Sequence, residues 1–290
     1  MPRRFDQRLS IVAAYALMCG IWGTTWLGIK FSLRYAPPIT GAGLRFLTAG
    51  AAMYVVALLL RRTVPARGLP WNVIAVFAAF LFGLNYVLTY MAETHVGSGL
   101  TAVLFGVLPF FVFGFGHWML GERTGPAVWF GAALALAGVA VISSTAGTQA
   151  TWYALAAVGA AFSSAYANVY AKRHAHHDPF VTLPPSMLIS GAAMTALGFL
   201  VERPDAAAAF SLPSLAAVLY LALLGSGVAF FLNIWLLQRT AAWIVGLSAL
   251  IIPVIAVLIG VFAAGEYFGA REIAGAILVI AGVWLALRSS

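Results

Sequence analysis

The chain has 290 residues, of which 63% are hydrophobic and only 8% charged, whereas soluble domains carry about 25% charged residues. A water-soluble globular domain is thereby excluded, and the single cysteine, Cys19, excludes an intrachain disulfide. The formal charge of +8 reads as membrane topology and not as a nucleic-acid footprint, because the cations fall between long uncharged runs.

Roughly 20 residues of helix cross a hydrocarbon core about 30 Å thick, and the uncharged runs predict ten such helices in chain order. The first spans 9–30. Its basic opening MPRRFDQR followed by an apolar run has the outline of a signal peptide, but no small-residue cleavage site follows, so it is read as an uncleaved span. Trp22 and Trp26 stand one turn apart on one face. Trp22 lies too deep for the interfacial anchoring common to Trp, which makes Trp22 and Thr25 candidates for a cavity wall, with buried packing as the alternative. The second span, 39–60, contains Arg45. A charge at that depth is a functional candidate for gating or for steering a carboxylate, against snorkelling to the outer interface. The third, 71–91, concentrates Asn85, Tyr86, Thr89 and Tyr90; such side chains face a bundle interior or a wet cavity, or bond helix to helix.

The fourth span, 97–119, carries Pro109, and the fifth, 126–144, follows Gly121-Glu122. Glu122 is expected to favour the N-terminus of that fifth helix. The sixth, 152–172, offers Ser163, Ser164, Tyr166 and Asn168. Arg173-His174-Ala175-His176-His177-Asp178 then reads as a solvated basic loop and not as a metal site. The seventh is 180–201; the eighth, 213–237, carries Asn233; the ninth, 243–264, carries Pro253. The tenth, 270–287, is completed by snorkelling of Arg288.

One ruler fits the chain twice. Pro109, Gly121-Glu122, Gly131 and Gly138 recur 144 residues later as Pro253, Gly265-Glu266, Gly275 and Gly282. Two related halves follow, 1–147 and 148–290, each of five helices. Eleven cations on one side of the predicted loops against four on the other place both termini in the cytoplasm. Five crossings per half force the halves to be inverted, a plan in which secondary transporters bind solute near mid-membrane at the repeat interface. Pro109 and Pro253, expected mid-helix, each free a carbonyl; they line the path or merely kink the packing. Gly131, Gly138, Gly275 and Gly282 permit close helix approach.

The run GIWGTTWLGIKFSLRYAPPITGAGLRFLTAG resembles the first two helices of the drug/metabolite transporter superfamily, EamA type. The repeated Pro…Gly-Glu…Gly-x6-Gly is similar to its fourth and fifth helices and again its ninth and tenth. The resemblance implies an inner-membrane exporter of small metabolites, most like the exporters of aromatic and other neutral amino acids. Their cavity carries aromatic residues on the first, third and sixth helices, places that Trp22, Tyr86 and Tyr166 match here. The sixth often has Trp where this chain has Ser163-Ser164, which implies a wider cavity.

The expectation is an all-α integral membrane protein of ten helices in two inverted repeats that exports amino acids or related metabolites by alternating access. A drug, nucleoside or sugar-phosphate carrier and a channel-like protein are the alternatives. Substrate-binding candidates are Trp22, Thr25, Asn85, Tyr86, Tyr90, Pro109, Ser163, Tyr166, Asn233 and Pro253, with Arg45 as gate. Without a phosphate loop, a catalytic constellation or a mid-membrane carboxylate, no enzyme activity, cofactor or metal is expected, and movement is facilitated. The partners are a small solute and the lipid bilayer, with the chain a monomer or homodimer.

Overall fold

The computed structural model describes residues 2–62, 68–95, 101, 104–143, 151–255 and 270–288. Gly265-Glu266 and parts of the fourth and ninth predicted spans lie outside them. The described residues form helices α1 (Pro2–Ser32), α2 (Pro38–Leu59), α3 (Trp71–His95), α4 (Leu108–Leu120), α5 (Pro126–Ser143), α6 (Thr151–Arg173), α7 (Pro179–Val201), α8 (Leu212–Leu237), α9 (Ala242–Ile255) and α10 (Ala270–Arg288), with a short helical turn at Ala206–Ala209. Five of them, α1, α2, α3, α7 and α8, are long and apolar enough to cross a membrane. The described parts of α4, α5, α9 and α10 are shorter apolar helices.

Helix ends are closed by partners distant in sequence. Proline near the start of α2 suits its first turn, but Pro37 has no side chain to cap it. The carboxylate of Glu202, at the end of α7, does so instead, accepting from the amides of Ile39 (2.8 Å) and Thr40 (2.8 Å) and the Thr40 hydroxyl (2.7 Å). An anion there also opposes the positive end of the helix dipole. Glu202→Ala is expected to lower stability by about 2–3 kcal/mol, the scale of lost charge-assisted bonds, read as a drop in apparent melting temperature. An unchanged value would mean that water caps α2 equally well.

The Gly-Glu mark has a related explanation. Gly121 adopts φ 68° and ends α4, its N–H bonding His117 O (3.2 Å) while that of Glu122 bonds Gly116 O (3.1 Å). The bond from Gly121 N–H to the carbonyl four residues back is that of the αL cap, which requires the left-handed residue that glycine supplies most cheaply. The turn aims Glu122 not at α5, as expected from the sequence, but at α9, where its Oε1 accepts from Ala242 N (3.1 Å). The helix N-terminus it serves is the one nearest in space, not the next in the chain.

Among the described residues two segments depart from α geometry. Phe77–Leu84 in α3 and Leu221–Val228 in α8 are wound as π-helix, and they stand 144 residues apart. The widened turn leaves carbonyls without their usual donor four residues on.

The most extensive contact is between α2 and α7, followed by α5 and α10. Rising along α2, Thr40, Gly43, Leu47 and Gly50 meet Gly198, Thr195, Gly191 and Leu188, falling along α7. These helices therefore run antiparallel, with glycine alternating from one to the other at the contact. In α5 and α10, Gly131 approaches Gly282 and Gly138 approaches Gly275 in the same antiparallel sense. A Cβ on Gly138 would stand 2.6 Å from the Gly275 carbonyl oxygen, so these glycines sit where backbones touch. Exchanging each helix for the one five places on maps the α2–α8 contact onto α7–α3 and α1–α8 onto α6–α3, all of which are present.

Candidate functional site

Between α1, α3, α4, α6, α8 and α9 lies a cavity of about 80 Å³, room for several waters. Six of the substrate-binding candidates line it: Trp22, Thr25, Asn85, Tyr86, Asn233 and Pro253. Its apolar wall adds Trp26, Ile29, Phe105, Leu108, Val112 and Phe230, and its polar groups include Thr89, Ser164, Asn168 and Ser248. No Asp, Glu, Lys or Arg is among the described lining residues.

The aromatic wall is built by rings meeting edge to face, the arrangement their quadrupoles favour. Trp22 meets Phe230 at 5.3 Å and Tyr86 meets Phe46 at 4.6 Å. The polar groups come from opposite sides. Asn233 of α8 donates to Asn168 Oδ1 of α6 (2.7 Å), and Asn168 donates to Ser164 O (2.9 Å). Asn85 donates to Leu81 O (3.1 Å) within the π segment of α3. The site can bind and orient a solute through amides, hydroxyls and rings.

The π segments explain several side-chain identities. Trp22 Nε1 donates to Gly225 O (3.1 Å) in the π segment of α8, and Ser163 Oγ donates to Phe80 O (2.7 Å) in that of α3. In each case the first helix of one half serves the third helix of the other. Ser163→Ala is expected to destabilise by about 1 kcal/mol, because it strips a donor from a half-buried carbonyl. The apparent melting temperature checks this, and Ser163→Thr, which keeps the hydroxyl, should lose less.

Five singled-out residues do not line the cavity. Tyr90 is fully buried, next to Gly41, where a Cβ would lie 3.4 Å from its ring. Ser163 is spent on Phe80. Tyr166 packs on Phe80 (5.1 Å) and Phe115 (5.6 Å), on the opposite side of α6 from Ser164 and Asn168, as a turn of 3.6 residues dictates. Pro109 is buried but does not kink a continuous helix. A turn at Gly106–Val107 precedes it and Pro109 lies in the first turn of α4, where a missing N–H costs no bond. Arg45 is buried at 0% exposure, so it does not snorkel. Its Nε donates to Ser226 Oγ (2.8 Å), and its guanidinium carbon stands 4.7 Å from the Tyr86 ring centre.

Phe230 was missed, although it stands 144 residues after Tyr86 on the same ruler. On α6, Ser164 and Asn168 could have been told from Ser163 and Tyr166 by their spacing of four, which places them on one face. At the basic end of the bundle, the rings of His174, His176 and His177 cluster, with His176 and His177 4.0 Å apart. Loss of solvent, then the neighbouring His176 and His174 charges, hold His177 below the ordinary histidine range. Asp178 pairs with Arg62 (3.5 Å) and caps α7 through Phe180 N (2.9 Å). Among the described residues no group of three His, Cys, Asp or Glu is placed to hold a metal ion.

The model of the EamA-like transporter family matches this chain twice, over residues 9–144 and 151–288. The inner membrane transporter YedA of Escherichia coli (strain K12) is 30% identical, over 98% of this chain and 93% of that one. Protein PagO of Salmonella typhimurium is 28% identical over 97% of this chain and 94% of its own length. A probable amino-acid metabolite efflux pump of Salmonella typhimurium is 27% identical over 93% and 92%. One solved crystal structure covers 97% of each chain with a TM-score of 0.83 at 24% identity, a likeness of fold alone.

Proposed function

The chain belongs to the EamA-like transporter family and is a multi-pass inner-membrane protein, and from that premise we propose that it exports amino acids or related small metabolites by alternating access. Ten helices cross the membrane in two inverted repeats, 1–147 and 148–290, with both termini in the cytoplasm. The antiparallel meeting of α2 with α7 and of α5 with α10 supports that inversion. A two-fold axis in the membrane plane would pair each such helix with its own counterpart running the other way. Paired π segments at equivalent places support a hinge role, since such turns recur at functional sites. The relative named as a probable amino-acid metabolite efflux pump supports the cargo class and direction.

The observation that carries the reading is the cavity between the halves, with its Asn168–Asn233 amide pair and rings from both sides. Amides and hydroxyls meet a zwitterion's two ends by hydrogen bonds, and aromatic walls accept an apolar side chain. With no acidic residue among the described lining residues, movement down the solute's own gradient is the simplest mechanism. Proteoliposomes loaded with unlabelled amino acid should take up the same labelled amino acid by counterflow, with or without a pH gradient. If no member of a panel of neutral and aromatic amino acids exchanges, the cargo is wrong. Uptake that needs the pH gradient would remove the facilitated mechanism.

A further inference from the structure

Arg45 stands one side chain behind the cavity wall. Its placement deepens the reading above, on which it rests. A guanidinium does not shed its proton in a protein, so a positive charge is held inside the bundle. Among the described residues the single ion pair joins Arg62 to Asp178, and no described carboxylate pairs with Arg45. Nε is engaged by Ser226, and the rings of Tyr86 (4.7 Å) and Phe46 (5.4 Å) give cation–π attraction. Nη1 and Nη2 have no hydrogen-bond acceptor. Such an adjacent pair of nitrogens suits the two parallel bonds by which guanidinium grips a carboxylate.

Little separates this pair from the cavity. One barrier is the Tyr86 ring, itself part of the lining. The other is Gly225, which contributes no side chain. A Cβ there would lie 3.1 Å from Arg45 Nη2 and 2.7 Å from Thr25 Cγ2, and Thr25 also lines the cavity. Trp22 fixes the same residue through its carbonyl. Displacing the Tyr86 ring would open the guanidinium to a solute lying beside it.

We propose that Arg45 binds the carboxylate of the transported solute, which makes the cargo an amino acid or another small carboxylic acid and rejects the matching amide, ester or amine. The arriving carboxylate supplies both missing acceptors and the missing countercharge. Asn85, Asn168 and Asn233 are left to receive the rest of the molecule.

Matched pairs test this: leucine against leucinamide, and phenylalanine against its amide and its methyl ester. Binding is read on the purified full-length chain from tryptophan fluorescence and the shift in melting temperature, and transport from counterflow in liposomes. The acid of each pair is expected to bind at least ~10-fold more tightly than the amide, since charge-assisted bonds are roughly twice as strong as neutral ones and here two form together. Arg45→Gln should bring the two within about twofold. Arg45→Lys, which keeps charge but loses the fork, should fall between and serves if Arg45→Gln does not fold.

Equal binding of acid and amide by the wild type overturns the proposal. So does a ratio unchanged in Arg45→Lys or Arg45→Gln, and so does failure of every acid in the panel to bind. Arg45-dependent selective binding without counterflow sinks the carrier reading and leaves this one standing. Counterflow of acids and amides alike does the reverse.

Discussion

Gly191→Ala is expected to destabilise the fold by about 2 kcal/mol, while Gly20→Ala should stabilise it by up to about 1 kcal/mol. Both replace glycine inside a helix, and both gain about 1 kcal/mol of intrinsic helix propensity. They differ in what the new methyl meets. At Gly20 nothing lies within 4 Å. At Gly191 the Cβ would stand 2.8 Å from Leu47 Cα and 2.8 Å from the Phe46 carbonyl carbon. Those are backbone atoms of α2, and they cannot turn aside as a side chain can. Overpacking costs typically 1–3 kcal/mol even where side chains yield, and here α2 and α7 must separate. Association of helices in lipid depends on such packing, because burial against a neighbour gains no hydrophobic energy over lipid tails. The measurement is the apparent melting temperature of the two variants in one detergent. A fall at both positions, or at neither, would falsify the assignment of Gly191 to the α2–α7 contact.

The repeat was legible because it is written in residues whose backbone demands are severe. Gly121 needs a left-handed φ and Gly131, Gly138, Gly275 and Gly282 meet backbone, so each is marked in one dimension. The helix ranges were legible for a similar reason: charges and prolines punctuate them. Cavity residues were harder. Trp22, Asn85, Tyr86 and Asn233 are large or polar at depth and therefore stand out, but polarity does not tell a lining group from a buried clasp. Ser163 is such a clasp, and nothing near it in sequence signals that Phe80 lies opposite. The π segments were not legible at all, since FAAFLFGL and LALLGSGV read as ordinary apolar helix and differ only in hydrogen-bond register. Glu122 failed differently, because its partner Ala242 is distant in the chain and is selected by the turn at Gly121. Depth alone could not decide between snorkelling and burial for Arg45, whose fate depends on Ser226 and Tyr86.

The Asn168–Asn233 bond separates holding the bundle from handling solute. Asn233→Leu removes the donor and leaves the half-buried Asn168 Oδ1 beside an apolar group, a loss of about 1 kcal/mol. Replacing both residues by Leu removes donor and acceptor together. Such paired apolar replacements can be nearly neutral, so the double variant should recover most of the lost melting temperature. Transport should not recover with it. If the two amides hydrogen-bond the solute as it rearranges between the halves, each variant forfeits a bond that leucine cannot supply. One to two such bonds at about 1.4 kcal/mol per factor of ten give a fall of roughly 10- to 100-fold in counterflow, in the single and the double variant alike. Return of counterflow alongside stability in the double variant would make the amide pair a structural clasp between α6 and α8. The solute would then be bound by the aromatic wall and Asn85. A double variant that regains its melting temperature while exchange stays lost places the amide pair on the transport path, with the stability it contributes a separate and replaceable property.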